Sequence, residues 1–149
     1  MDISVYIESE ESMEIGHIVD YSYETAIPQN SLARDFEEFH RIQLALIVPK
    51  RENESEMVQY LQQWSKTGQN EETYYRSATV YINSGRFETG IRFPDARMQL
   101  SRSSLTQNDV FHFSLILEQK ESRYRYIETG WPAAEKVKNK LRAYAEANE

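Results

Sequence analysis

Three histidines, His17, His40 and His112, are the only side chains of this sequence whose ordinary protonation equilibrium lies near neutral pH. No cysteine accompanies them, which removes thiolate nucleophiles, disulfides and thiolate metal ligands together. No two histidines are spaced to converge on one metal ion from a single element. His112 and Ser114 fall on one face of a strand with Asp109 close by in sequence. A catalytic triad is defined by geometry rather than spacing, and a solvated strand face accounts for the same three residues. The paired acids Glu10-Glu11, Glu37-Glu38 and Glu71-Glu72 are sequence neighbours that point apart on a strand, so they read as solvated turns rather than a glycosidase pair. Five glycines are too dispersed to build a phosphate-cradling loop. Arg123-Tyr124-Arg125-Tyr126 interleaves cations with aromatics, as a stacking platform for single-stranded nucleic acid does. Strand alternation would instead send its tyrosines into a core and its arginines to the surface. The residues therefore predict no catalytic group, no cofactor, no metal and no enzymatic activity.

The bulk properties narrow the remaining classes. A chain of 149 residues suffices for one domain with a substantial core, and 12% aromatic residues need a core or an interface to cover them. The net charge of −7 argues against nucleic acid as a partner. It is unevenly spread: residues 1–72 carry 15 acids and 5 bases, residues 73–149 carry 9 acids and 12 bases. Opposite faces built from these halves would let copies stack with complementary potential. The start, Met1-Asp2-Ile3-Ser4, lacks signal-peptide character, and the apolar run Leu44–Val48 is far too short to span a bilayer. A soluble protein made in the cytoplasm, without membrane insertion, is expected.

Alternation predicts the elements that position these residues. Ile3, Val5 and Ile7 mark a first strand. Ile15–Tyr23 reads as a second, with Val19, Tyr21 and Tyr23 on one side. Glu24–Arg41 has no periodicity and holds Leu32, Phe36 and Phe39; such a long connection suggests either an interaction loop or a cover for the core. Ile42, Leu44 and Leu46 mark a strand ending at Pro49. Met57, Val58, Leu61 and Trp64 recur at helical spacing, predicting a helix over about 54–67, capped by Asn53 and stopped by a left-handed Gly68. Ala78, Val80 and Ile82 precede an Asn83-Ser84-Gly85 turn. Phe87, Ile91 and Phe93 share the returning face, broken at Pro94-Asp95, and Met98 and Leu100 mark a short strand. Phe111, Phe113, Leu115 and Leu117 form another strand, continued by Tyr124 and Tyr126. Pro132 then opens a C-terminal helix over about 132–147, with a narrow stripe of Ala134, Val137, Leu141 and Tyr144. The predicted fold is mainly β. It is a single-domain antiparallel barrel or sandwich over 1–128, with one flanking helix and a helical extension over 129–149.

This order of elements resembles the haemolysin-coregulated protein family, the tail-tube subunits of type VI secretion systems, related to phage tail-tube proteins. The resemblance rests on Gly16–Tyr23, Ile42–Val48, the Met57–Trp64 helix leading into Ala78–Ile82, and Ile91–Ala96 followed by Val110–Leu117. It covers about residues 1–128 and departs in the C-terminal helix. It implies a closed or nearly closed β-barrel with one helix on its flank, assembled into hexameric rings that stack as the inner tube of a contractile injection apparatus. Sheath, baseplate or effector proteins would be its partners, and export would proceed through its own machine. The segment Ala26–Phe39 would reach a neighbouring subunit, with Leu32, Phe36 and Phe39 as anchors. Leu141 and Tyr144 are further contact candidates on the thin-striped terminal helix. The competing class is a small acidic binding module, an inhibitor or immunity-type protein, acting as monomer or dimer.

Overall fold

The computed structural model describes residues 1–26, 38–52, 55–103 and 109–148, by backbone alone at 24–26, 38–40 and 124–125. Its strands are β1 (Asp2–Glu8), β2 (Met13–Ile15), β3 (Ile18–Ala26), β4 (Glu38–Pro49), β5 (Arg76–Asn83), β6 (Glu88–Arg102), β7 (Val110–Gln119) and β8 (Glu128–Gly130). Helix α1 (Glu56–Ser65) separates β4 from β5, and α2 (Trp131–Ala147) ends the chain. Every ladder is antiparallel, and the strand order is β2-β1-β5-β6-β7-β4-β3, with β8 added to β6. The fold is thus mainly β with one flanking helix and a C-terminal helix, as the alternation predicts.

The sheet is not closed by a ladder. Edge strands β2 and β3 share no ladder among the described residues, although β1 and β3 approach one another. Only Gly16 and His17 separate these two edges in sequence, so the sheet must curl until its ends meet. The meeting is a covalent corner rather than a ladder. His17 turns it in the left-handed region (φ 60°), and its carbonyl accepts the Ile47 amide at 3.0 Å.

Inside the curl, alternate residues form one continuous core. Ile3, Val5 and Ile7 of β1, Ala78, Val80 and Ile82 of β5, and Leu115 and Leu117 of β7 are buried as their spacing predicts. Helix α1 adds Val58, Tyr60, Leu61 and Trp64 to it. The Trp64 indole donates to the Tyr74 carbonyl at 2.9 Å, and the Arg76 guanidinium lies over both the Tyr60 and Trp64 rings.

Several predicted details are corrected. Helix α1 spans Glu56–Ser65 and is capped by Ser55, whose hydroxyl accepts the Val58 amide; Asn53 lies outside the described residues. Lys66, in ordinary right-handed conformation, ends the helix in place of a left-handed Gly68. In β3 a bulge sets Val19 as the extra residue between the Ile18–Leu46 and Asp20–Ala45 pairs. Val19 is therefore turned out to 54% exposure, while Tyr21 and Tyr23 pack on the core. Phe87 belongs to the turn and is exposed. Strand β6 runs unbroken through Pro94-Asp95, because a bulge there sets both residues opposite Ser77, where proline's missing N–H costs no ladder bond. Beyond β7 the chain forms a 3-10 segment, Glu121–Tyr126, so the predicted continuation of that strand fails. Tyr126 is exposed beneath the Arg123 guanidinium, 4.4 Å from its ring centroid.

Candidate functional site

Among the described residues the groups with catalytic chemistry do not assemble. His112 lies exposed on β7, Asp109 faces Lys50, and the Ser114 hydroxyl accepts from Gln43 Nε2 at 3.0 Å. His17 Nε2 sits 2.8 Å from Glu52 Oε2 at the corner between β2 and β3, and both side chains are well exposed. The side chain of His40 lies outside the described residues. Among the described residues no three acids or histidines cluster as a metal site, and no helix is long and apolar enough to cross a membrane.

What the fold does organise is exposed surface. The first part is the β3–β4 hairpin at the sheet edge. Its rungs run on to Thr25–Phe39 and Ala26–Glu38, while the β4–β7 ladder stops at Arg41–Glu118. The hairpin therefore outruns its neighbour by Glu38, Phe39 and His40. Segment 27–37, the connection between these strands, carries Leu32 and Phe36, which lie outside the described residues. Phe39 is placed by its backbone in β4.

The second part is the outer face of β7, β4 and β3, which neither α1 nor α2 covers. Its rungs are mostly polar, with Ile116 and Ala45 among them: Gln99–Ile116–Gln43–Ser22 and Ser101–Ser114–Ala45–Asp20. Toward one end a row of charge crosses the strands, with Glu118 bonded to Arg97 and 3.9 Å from Arg41. The bond to Glu118 pushes the Arg97 guanidinium above its ordinary pKa. Beside this row lies a cleft of 530 Å³ lined by Tyr75, Arg97, Glu118 and Lys120, with Lys120 over the Tyr75 ring. Glu121 lines it too, so its two cations and two carboxylates balance.

The opposite outer face, on β1, β5 and β6, is covered by α2. Ala134 and Val137 bury Tyr81, and Leu141 and Tyr6 pack at the rim. Tyr144 meets the Tyr6 ring edge-on at 6.0 Å, and its hydroxyl reaches Met13 Sδ at 3.5 Å. The two contact candidates on the terminal helix are thus engaged within their own chain. Periodicity revealed the stripe but could not name its partner.

The strand order also places the charge. Strands from residues 1–72 form both edges, which meet through the curl, and residues 73–149 supply the middle. Lys140–Glu8, Arg41–Glu118 and Lys50–Asp109 pair residues across that division. No protein-family model and no curated protein sequence matches this chain.

Proposed function

We propose that the protein is a non-enzymatic, self-assembling subunit that closes into rings, six-membered by the family resemblance, stacking as the inner tube of a contractile injection apparatus of the type VI secretion kind. The observation that carries this reading is the β3–β4 hairpin, which outruns β7 at a free sheet edge and bears the Leu32–Phe36 segment. An edge hairpin of this kind offers backbone donors and apolar anchors to a neighbouring copy, and a ring of head-to-tail contacts closes without leaving a free end. The mostly polar outer face of β7, β4 and β3 suits a water-filled channel, with the α2-covered face turned outward. Sheath, baseplate and effector proteins are the partners of such a tube.

Light scattering with negative-stain imaging tests it. Six-fold rings are expected, reduced to monomers by Leu32→Asp with Phe36→Asp. A wild-type protein that stays monomeric at high concentration overturns the reading in favour of an acidic inhibitor-type binding module.

A further inference from the structure

We infer that α2 is a strap: it undocks as a unit from the outer face of β1, β5 and β6, hinged at Gly130, while the curled sheet stays folded, and ionic strength sets how often it does so. The contrast with α1 carries this. Helix α1 is capped by a side chain and buries Val58, Leu61 and Trp64 in the main core. Removing it would empty the sheet. Helix α2 contributes to a second cluster, Tyr81, Ala134 and Val137, separate from that core, so lifting it opens no cavity there.

Charge adds to the hold that buried Ala133, Ala134 and Val137 give α2. Lys138 Nζ lies 3.0 and 3.1 Å from the two Glu88 carboxylate oxygens, and Lys140 Nζ lies 2.7 Å from Glu8 Oε1. Lys136 reaches Glu128 at 3.9 Å. All are partly exposed, where salt screens attraction. The helix supplies little stability of its own at its N-terminus: no side chain caps it there and its first turn has no acid, although Asn148 Nδ2 donates to the Tyr144 carbonyl at 2.8 Å at the other end. Immediately before it, Gly130 adopts φ 84°, a conformation that only glycine takes without strain. The stripe under α2 includes Tyr6, Thr79 and Tyr81, whose hydroxyls water can solvate once exposed.

Hydrogen–deuterium exchange of the intact chain at low and high NaCl tests the strap. Amides of residues 134–147 should exchange about ten-fold faster at high salt, with those of Val80 and Leu115 unchanged. Gly90→Ala should speed α2 in the same selective way, because its Cβ would stand 2.6 Å from the Ala134 backbone nitrogen. Lys138→Ala with Lys140→Ala, which leaves that contact intact, should speed α2 at low salt and abolish most of the salt response. Helix amides that exchange only as slowly as Val80 overturn the inference, as does fast exchange indifferent to salt.

Discussion

Gln119 Oε1 accepts the backbone N–H of Asp95 at 3.0 Å, tying the last residue of β7 to the bulge in β6. The same side chain donates from Nε2 to the Arg123 carbonyl at 3.0 Å, and Arg123 returns to the Asp95 carboxylate. One buried amide thus brackets a proline bulge against a 3-10 excursion. Past that bracket the chain resumes as β8 along the same side of β6, at Arg92–Glu128 through Gly90–Gly130.

Replacing Gln119 by Leu keeps the volume but leaves the Asp95 amide without its acceptor. A loss of about 1–3 kcal/mol is expected in urea denaturation, because a buried donor is orphaned. Arg123→Ala, which removes an exposed pair, should cost under about 1 kcal/mol.

Trp64 should be the most sensitive residue of α1. It is 2% exposed and holds the helix to the Tyr74 carbonyl. Trp64→Ala should cost about 3–5 kcal/mol through the cavity it opens. Chemical denaturation followed by circular dichroism measures it.

His17 occupies the left-handed region at the corner that joins the sheet's two ends. His17→Gly should stay within about 1 kcal/mol of the parent, since relief at the backbone offsets the loss of an exposed contact with Glu52. His17→Val, stiff at Cβ, should cost about 1–2 kcal/mol. Thermal melts of the two variants should separate in that order.

Burial raises the pKa of three tyrosines above the ordinary 10.0: Tyr23, Tyr60 under the Arg76 stack, and Tyr81 under α2. A raised pKa means the folded state favours the protonated phenol. The stability this contributes is complete below pH 10 and is lost as pH rises from the unfolded value through the folded ones. An ultraviolet titration of the ten tyrosines should therefore resolve an early group and a late group, the late one ionising as the protein unfolds.

Where one face of a strand is buried and the other wet, the sequence was legible: Ile3-Val5-Ile7 and Phe113-Leu115-Leu117 lie where alternation puts them. Legibility failed where a single inserted residue changes parity. Val19 and Pro94-Asp95 sit in bulges, and a bulge is set by the partner strand rather than by the residues within it. Tyr126 was misplaced because Gln119 and Asp95 redirect the chain through contacts that only tertiary structure supplies. The terminal stripe is readable, yet its docking against Tyr81 is not: the alternation of Ala78, Val80 and Ile82 marks one buried face of β5, and nothing in it marks the second. Of the candidate contact residues, Leu141 and Tyr144 lie on a stripe that spacing alone assigns to neither its own domain nor a neighbour, and the aperiodic stretch 24–41 hides the rung that pairs Phe39 with Thr25.

The strand order has a consequence for how the chain is made. During synthesis β1 emerges early but has to wait for β5, since Ile7 pairs with Ala78, and β4 has to wait for β7, since Arg41 pairs with Glu118. The β1–β2 and β3–β4 hairpins can each zip as they leave the ribosome, ahead of these longer-range ladders. The two halves of the nascent sheet then remain as separate, half-covered pieces until β5, β6 and β7 arrive to join them. Long-range pairings of this kind put refolding in the millisecond-to-second range typical of β-topologies, with collapse delayed until the middle strands are present.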